Sequence, residues 1–327
     1  MRVLVTGATS MIGRETVLRL RIAGHTVTTF QRSPFDEAER TVQGSITDPD
    51  ALSRAVDGQD AVIHLAAKVA PVGAWEDFEA INVRGTERLL EAAAAAGVSR
   101  FVYVSSPSVA HSGTSIIGGG ADPADPEHTS GHYATSKAMA ELAALGASSE
   151  VMPVVAIRPH LVIGPGDTQL IGRVLERAEQ GRLALVGSGL ALIDATWVDN
   201  AADALVAALD RCPEVAGEAF VISNGEPRTV HELLSRITRA AGFDWSPRSV
   251  PRRVAIAGGT LVERLWERTG RDGEPPITGF AAEQLSTAHW FDQRRTREAL
   301  RWEPQVTLAE GFVRLEEHFS ATAKTTD

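Results

Sequence analysis

The sequence predicts an α/β fold, in which a doubly wound parallel sheet is joined to a smaller, partly interleaved C-terminal domain. Strand-like runs alternate with helical ones through the first half of the chain, which is the pattern of a parallel sheet with helices on both faces. After Pro159 the pattern changes to short apolar runs and glycine–proline turns. The 327 residues suffice for one large or two modest domains with a sizeable core.

Local signals place the individual elements. Short β-branched or aromatic runs predict strands at residues 3–5, 26–30, 61–65, 101–105, 154–157 and 219–223. Alanine-rich and leucine-rich segments predict helices at residues 75–96, 132–145, 170–180, 230–241 and 293–300. Because ligands of parallel sheets bind beyond the carboxyl ends of the strands, we expect Gly7, Ala66 and Ser106 to converge.

The first strand runs into a turn with glycines at positions 7 and 13, and this turn opens a helix. Backbone N–H groups and the helix dipole can face a pyrophosphate there, although an ordinary strand-to-helix turn carries the same signal. Ser10 stands where a middle glycine usually allows close backbone approach. The candidate cofactor-binding residues of the turn are Gly7, Thr9, Ser10, Met11, Ile12 and Gly13.

The turn predicts that residues 1–165 form a Rossmann-type dinucleotide-binding domain, to which residues 190–223 return. Residues 166–189 and 224–320 are then expected to form the substrate domain. The polar end of the chain, residues 321–327, is expected to be a flexible tail.

Composition excludes several classes of function. The 32 basic and 42 acidic residues give a net charge of -10, which argues against a nucleic-acid partner. The single cysteine, Cys212, excludes an internal disulfide framework and a thiolate metal site, and we expect no metal. Residues 1–6 have no apolar stretch long enough for a signal peptide, and no apolar run reaches about 20 residues, so a cytoplasmic protein with no transmembrane segment is expected.

The second predicted strand ends at Gln31-Arg32-Ser33, where the choice between the two nicotinamide dinucleotides is usually made. An acidic side chain at this place binds a ribose 2′-hydroxyl, whereas an arginine accepts a 2′-phosphate through charge-assisted hydrogen bonds. Arg32 therefore favours NADPH, with NAD as the second choice. An exposed loop arginine without a ligand is the alternative interpretation.

Ser106, Tyr133 and Lys137 predict a hydride-transfer site. Tyr133 and Lys137 lie four residues apart on a predicted helix, so both side chains project from one face. A cation about 5 Å from a phenol, at an effective dielectric of about 20, would favour the phenolate by on the order of two pK units. We expect Ser106 to bind a substrate carbonyl, Tyr133 to transfer the proton, and Lys137 to hold the ribose and lower the pKa of Tyr133.

These motifs together resemble the extended short-chain dehydrogenases/reductases. The resemblance rests on Thr6-Gly7, His64-Leu65-Ala66-Ala67, Asn82-Val83-Arg84-Gly85-Thr86, Ser106 and Tyr133-x-x-x-Lys137. Residues 157–167 and 193–200 are similar to the branch that contains 3β-hydroxysteroid and sterol-4-carboxylate 3-dehydrogenases. Within that branch, the chain is most similar to the bacterial 2-alkyl-3-oxoalkanoate reductases of long-chain olefin synthesis.

The resemblance implies further site residues. Gly7 and Gly13 would contact the pyrophosphate, and Ser45 and Ile46 the adenine side, although the family often has an aspartate where this chain has Ser45. The nicotinamide side would be lined by Ala66, Ala67 and Pro159. Asn82 would have a structural role.

The resemblance also implies NADPH-dependent reduction of a hydrophobic 2-alkyl-3-oxoalkanoic acid to the 3-hydroxy acid. The substrate carboxylate would need a cation or donors. His160 is the candidate, with Arg158 beside it unless Arg158 is buried against an internal acid. A homodimer is expected, associated with other enzymes of the same lipid pathway. An NAD-dependent 3β-hydroxysteroid dehydrogenase, a sugar-nucleotide epimerase and a cofactor-sensing protein without turnover remain alternatives.

Overall fold

The structure, a computed structural model, describes residues 1–110, 113–269 and 278–326. The described residues form strands β1 (Arg2–Thr6), β2 (Thr26–Gln31), β3 (Arg40–Gln43), β4 (Ala61–His64), β5 (Arg100–Val104), β6 (Ile116–Gly119), β7 (Val154–Pro159), β8 (Val162–Ile163), β9 (Ala184–Val186), β10 (Leu192–Ile193), β11 (Thr196–Trp197), β12 (Ala219–Ile222), β13 (Arg228–Thr229), β14 (Arg248–Val250) and β15 (His289–Phe291). They also form helices α1 (Met11–Ile22), α2 (Pro49–Val56), α3 (Trp75–Phe78), α4 (Gly85–Ala95), α5 (Gly131–Gly146), α6 (Ile171–Glu179), α7 (Val198–Arg211), α8 (Val230–Ala240), α9 (Arg252–Thr269), α10 (Gly279–Gln284), α11 (Arg294–Leu300) and α12 (Leu308–Thr326), with a π-helical segment at Glu79–Arg84 and a 3₁₀ turn at Pro107–Ala110.

The main sheet has seven strands in the described part of the chain, in the order β12-β7-β5-β4-β1-β2-β3. Every neighbouring pair is parallel. Helices α1 and α7 bury apolar side chains against one face, and α2, α4 and α5 against the other. The predicted α/β fold with a doubly wound parallel sheet is therefore confirmed.

Two details of the sheet region differ from the sequence predictions. The helix expected over residues 75–96 is divided into α3, a π-helical segment and α4. Its apolar periodicity cannot distinguish a wider π turn from an α turn, and such turns often occur at functional sites. Strand β3 was not predicted because it is a short edge strand in which no residue is fully buried.

Smaller sheets and a second group of helices accompany the main sheet. Strands β13-β10-β15-β6 form a four-stranded sheet, and β8–β11 and β9–β14 form two parallel pairs. Helices α6, α8 and α12 pack around the fully buried Trp197 in a separate apolar cluster. The predicted tail overlaps the end of α12, and its last residue, Asp327, lies outside the described residues, as do residues 270–277 of the predicted substrate domain. No helix in the described ranges has the length and apolar character needed to span a bilayer.

Candidate active site

The turn after β1 brings backbone groups together around Gly7. This residue has a φ of +74°, a left-handed conformation that favours glycine. A Cβ atom at Gly7 would lie 2.9 Å from the Ala66 nitrogen, and a Cβ at Gly13 would lie 2.8 Å from the Ala8 Cα. The turn is thus a cradle in which the backbone is exposed because side chains do not fit.

Ser10 caps helix α1 at this turn. Its hydroxyl donates to the Gly7 carbonyl at 2.9 Å and accepts from the Gly13 N–H at 3.1 Å. Serine at the position of the usual middle glycine therefore stabilises the turn and the helix N-terminus. Thr9 and Ser10 are exposed, and Met11 and Ile12 are half-buried. Such a helix N-terminus with a glycine cradle fits a dinucleotide pyrophosphate.

The residues predicted for the adenosine end lie after β2 and β3. Arg32 is exposed directly beyond β2, and no hydrogen bond or ion pair from it is found among the described residues. Ser45 shares a 2.8 Å hydrogen bond with the Thr47 hydroxyl. Ile46 is buried against Gly85, where a Cβ atom would lie 2.9 Å from an Ile46 methyl carbon. These side chains follow neighbouring strands at one edge of the sheet.

The residues predicted for the nicotinamide end follow central strands. Ala66 and Ala67 come directly after β4 and are half-buried, and Pro159 ends β7. The Ala66 N–H donates to the Thr6 hydroxyl at 3.1 Å, which holds Ala66 beside the Gly7 turn. The structure therefore brings the segment after β4 against the glycine cradle.

Ser106, Tyr133 and Lys137 meet at the carboxyl end of β5. The Ser106 side chain, which follows β5, lies close enough to the Tyr133 phenol to lower its pKa. The Lys137 Nζ donates to the Val104 carbonyl at 2.6 Å, two residues before Ser106. The Ser106 oxygen also accepts from the Ser108 hydroxyl at 2.9 Å. The three predicted side chains are therefore neighbours, although they come from a loop and a helix separated by more than twenty residues.

The sign of the Tyr133 pKa shift differs from the sequence-based expectation. Burial raises the pKa of the Tyr133 phenol above its ordinary value of 10.0, and the nearby Ser106 hydroxyl opposes this only in part. The expectation of a lowered pKa assumed a fully charged ammonium close to the phenol. In the structure, burial lowers the pKa of Lys137 to about 7, against the opposing charge of Glu141. At neutral pH the phenol is therefore protonated and can donate a proton.

A buried ion pair continues the same helix face. Glu141 lies one turn beyond Lys137, and its carboxylate accepts from Arg158 Nε at 2.9 Å and Nη2 at 2.5 Å. The remaining Arg158 nitrogen donates to the Asp122 carbonyl at 2.7 Å. Arg158 is 1% exposed. Because all three nitrogens have internal partners, Arg158 pairs with an internal acid, and its candidacy for a substrate carboxylate is wrong.

His160 lies where β7 leaves the main sheet and meets the smaller one. Its Nδ1 is 2.7 Å from the Asp194 carbonyl oxygen, which can only accept, so Nδ1 carries a proton. The His160 ring lies with its centre 4.9 Å from that of Phe291 and 6.1 Å from that of His289. Its predicted contact with a substrate carboxylate would therefore have to use the other ring nitrogen.

Sequence reasoning assigned no role to Glu141, to Tyr103 or to a group of three residues at this site. Tyr103 lies directly beneath Lys137, and the Thr6, His64 and Thr86 side chains form a buried hydrogen-bonded set below the glycine turn. For Glu141 a signal existed, because it lies eight residues after Tyr133 and shares its helix face. For Tyr103 the sequence showed only that it belongs to a predicted strand.

Comparisons with known proteins agree with this geometry. A model described as the NAD dependent epimerase/dehydratase family matches residues 3–223. A 2-alkyl-3-oxoalkanoate reductase of Stenotrophomonas maltophilia is 40% identical over 324 residues, which cover 96% of this chain and 98% of the relative. A 3 beta-hydroxysteroid dehydrogenase/Delta 5→4-isomerase of Mycobacterium tuberculosis is 32% identical, with 95% and 88% covered. The solved structure of MoeE5 in complex with UDP-glucose and NAD has a TM-score of 0.76 at 24% identity, with 99% of this chain and 100% of that chain covered, and so shares the fold.

Proposed function

The chain belongs to the NAD dependent epimerase/dehydratase family and is an NAD(P)-dependent oxidoreductase, and from this we propose that it reduces the 3-oxo group of a hydrophobic 2-alkyl-3-oxoalkanoic acid to the 3-hydroxy acid. The observation that carries the proposal is the convergence of Ser106, Tyr133 and Lys137 at the carboxyl end of β5. The substrate class comes from the relative that is 40% identical over nearly the whole chain. The pathway we propose is long-chain olefin biosynthesis.

The chain's own residues would supply the proton and stabilise charge. A bound nicotinamide dinucleotide would supply the hydride. Tyr133 is suited to give the proton to the developing alkoxide, because burial keeps its phenol protonated at neutral pH. The Ser106 hydroxyl would stabilise the same oxygen and then the phenolate that remains. Lys137, when protonated, would favour that phenolate through its charge.

An assay in both directions tests the reaction. In the reductive assay the protein is mixed with NADPH and a 2-alkyl-3-oxoalkanoate. In the oxidative assay it is mixed with NADP and the 2-alkyl-3-hydroxyalkanoate, a substrate that does not decarboxylate spontaneously as β-keto acids do. We expect turnover, seen at the nicotinamide absorbance band, to fall by about 10²- to 10⁴-fold in Tyr133→Phe. The matched control is Tyr103→Phe, since the chain has two tyrosines and Tyr103 is the other. Equal activity of both variants would remove Tyr133 from the reaction.

A 3β-hydroxysteroid dehydrogenase that uses NAD is the second candidate. The relative from Mycobacterium tuberculosis, 32% identical over almost the same length, supports it. Both substrates share a 3-oxo or 3-hydroxy group on a hydrophobic body. A panel of 3β-hydroxysteroids assayed with NAD beside the 2-alkyl acids separates the two, because the preferred substrate has the higher kcat/KM.

We propose NADPH as the cofactor because Arg32 follows β2 where an acidic residue would favour NADH. Arg32→Ala should raise the KM for NADPH by about tenfold or more and leave the KM for NADH nearly unchanged, since only NADPH has the 2′-phosphate. Arg40→Ala is the control, because Arg40 is also exposed but begins the neighbouring strand at its far end. Equal effects of Arg32→Ala on both dinucleotides would contradict the proposal.

We propose that the substrate binds between the carboxyl edge of the main sheet and the unit formed by residues 166–189 and 224–320, with His160 near its carboxylate. His160→Ala should then raise the KM for the 2-alkyl-3-oxo acid. The matched 3-oxo ester should show no such change because it has no carboxylate. An unchanged KM for the acid would exclude His160 from this role.

We propose a cytoplasmic homodimer that associates with other enzymes of the same lipid pathway. The exposed face of α5 is the proposed contact, where Leu142 is 46% exposed. Sedimentation velocity of the wild type and of Leu142→Glu tests the dimer. A dimer that persists in Leu142→Glu would place the contact elsewhere.

A further inference from the structure

A buried histidine lies between the glycine turn after β1 and the catalytic helix, α5, which carries Tyr133 and Lys137. His64 ends β4 and is 1% exposed. Its Nδ1 is 2.7 Å from the Thr6 hydroxyl, and its Nε2 is 3.0 Å from the Thr86 hydroxyl. Each ring nitrogen therefore has one threonine as its partner, and which partner donates depends on where the ring proton sits.

The other contacts of the two threonines settle the direction of each hydrogen bond. The Thr86 hydroxyl lies 2.6 Å from the Asn82 carbonyl, to which it must donate its one hydrogen. Thr86 can then only accept from His64, so Nε2 carries the proton. Nδ1 is left with its lone pair, and the Thr6 hydroxyl donates to it. The Thr6 oxygen in turn accepts the Ala66 N–H at 3.1 Å.

The chain of hydrogen bonds continues from Asn82 to the catalytic tyrosine. The Asn82 amide donates to the Ser136 hydroxyl at 2.9 Å, and Ser136 donates to the Tyr133 carbonyl at 2.9 Å. Asn82 also holds both backbone groups of Lys68, accepting from its N–H at 2.7 Å and donating to its carbonyl at 3.1 Å. The segment from Ala66 to Lys68 is thus held at one end by Thr6 and at the other by Asn82.

We propose that His64 is a positioning residue, which as the neutral tautomer with its proton on Nε2 fixes the catalytic helix relative to the cofactor turn. A proton on Nδ1 instead would place two hydrogens between Thr6 and the ring. Nε2 would then carry no hydrogen for the Thr86 hydroxyl oxygen to accept. In a doubly protonated ring, Nδ1 would also carry a hydrogen, so the Thr6 hydroxyl could no longer donate to it. Only one protonation state satisfies every group in the set.

The surroundings of His64 favour that neutral state. The ring packs against the rings of Phe101 and Tyr103, with centres 6.2 and 5.9 Å away. Burial, together with the smaller effect of the Lys137 charge, lowers the pKa of His64 to about 3. His64 therefore does not titrate where the enzyme works, and its role is geometric.

The first test is spectroscopic and requires no turnover. Long-range ¹H–¹⁵N correlation of the histidine-labelled protein, with His64 assigned by its loss in His64→Gln, reports which ring nitrogen is protonated. We expect the Nε2–H tautomer, unchanged between pH 5 and pH 9, because the pKa of His64 is about 3. A proton on Nδ1, or a charged ring in this range, would overturn the proposal. The result is independent of the proposed substrate.

The second test compares two threonines with the same local structure. Thr86 and Thr238 are both buried on helices, and each donates to the carbonyl four residues before it, but only Thr86 accepts from a histidine. Replacement of either by valine should lower the thermal unfolding midpoint, and Thr86→Val should lower it more because the buried His64 Nε2–H then has no acceptor. Thr86→Val should also lower kcat by about 10- to 100-fold, since small misplacements of reacting groups have effects of this size. Thr238→Val should leave kcat within about twofold.

The kinetic comparison rests on the proposed function only for its substrate. An equal kcat in the two valine variants, measured at a temperature where both are fully folded, would show that the set is merely structural and would overturn the positioning role. If neither the wild type nor any variant reduces the 2-alkyl-3-oxo acid, the proposed function fails. The comparison is then repeated as the dissociation constants for NADPH, which should rise in Thr86→Val and not in Thr238→Val.

Discussion

The ammonium nitrogen of Lys137 lies 4.2 Å from the centre of the Tyr103 ring. It also donates to the Val104 carbonyl at 2.6 Å, and the side chain is almost fully buried. Aromatic faces and carbonyl dipoles stabilise a cation, but they replace only part of its lost hydration. Burial accordingly lowers the pKa of Lys137 from 10.5 to about 7, although Glu141 opposes the shift. The lysine at this site is therefore a group whose charge depends on the solution pH.

The lowered pKa of Lys137 predicts a pH dependence of stability. Between about pH 7 and pH 10.5 the unfolded chain binds a proton that the folded chain does not, so the free energy of unfolding rises with pH in this window. Below pH 7 both states are protonated, and the folded state bears the full desolvation cost. Lys137→Met removes this cost. Its free energy of unfolding minus that of the wild type should be largest below pH 7 and should decline toward pH 10.

Denaturant unfolding at pH 6, 8 and 10 measures this difference. Lys68→Met is the control, because the Lys68 ammonium pairs with Asp77 at 2.5 Å in a partly exposed position. We expect its difference from the wild type to be nearly constant over the same range. A constant difference for Lys137→Met as well would mean that Lys137 is charged throughout.

The Tyr103 hydroxyl predicts a substitution that does no harm. Tyr103 is fully buried, and its hydroxyl has no hydrogen-bond partner among the described residues. Tyr103→Phe removes a polar group that lost its hydration without replacement, so stability should be unchanged or raised by up to about 1 kcal/mol. Tyr103→Leu also removes the ring under Lys137 and should cost about 2–4 kcal/mol. Chemical denaturation measures both, and a loss above about 1 kcal/mol in Tyr103→Phe would show that the hydroxyl has a partner.

The Arg158–Glu141 pair predicts strong coupling between two positions. Both side chains are almost completely buried and share two hydrogen bonds. Glu141→Gln leaves the guanidinium without a counter-charge and should cost about 3–5 kcal/mol. The double variant Glu141→Leu with Arg158→Met removes both charges and should be more stable than Glu141→Gln alone. A double-mutant cycle with the single variants Glu141→Leu and Arg158→Met, measured by denaturant unfolding, checks the coupling, and additive losses would contradict it.

The sequence allowed the main sheet and the catalytic helix to be predicted, because both depend on local patterns. Alternating apolar runs located β1, β2, β4, β5 and β7, and the spacing of Tyr133 and Lys137 placed them on one face of α5. The direction of the Tyr133 pKa shift could not be predicted in this way. It depends on burial by distant segments and on the Lys137 ammonium being directed to Val104 and Tyr103.

The partner of Arg158 and the role of His64 also depend on contacts between distant segments. Glu141 precedes Arg158 by 17 residues, and Thr6 precedes His64 by 58. A strand sequence shows that such a side chain will be buried, but not which polar group will meet it. The His64 protonation state in particular follows from the direction of hydrogen bonds that no sequence pattern records.

The glycine turn predicts a difference between two glycines with similar backbone conformations. Gly7 has a φ of +74° and Gly24 a φ of +81°, so alanine at either position bears the cost of a left-handed conformation, about 1–2 kcal/mol. A Cβ atom at Gly24 meets nothing within 4 Å, whereas one at Gly7 would lie 2.9 Å from the Ala66 nitrogen. Gly7→Ala should therefore cost a further 1–3 kcal/mol or so for the overpacked turn. The added Cβ atom at Gly7 would displace Ala66 and the glycine turn, so NADPH affinity should fall in Gly7→Ala and stay unchanged in Gly24→Ala. Fluorescence titration with NADPH measures both affinities. Equal affinities would mean that the turn does not contact the dinucleotide.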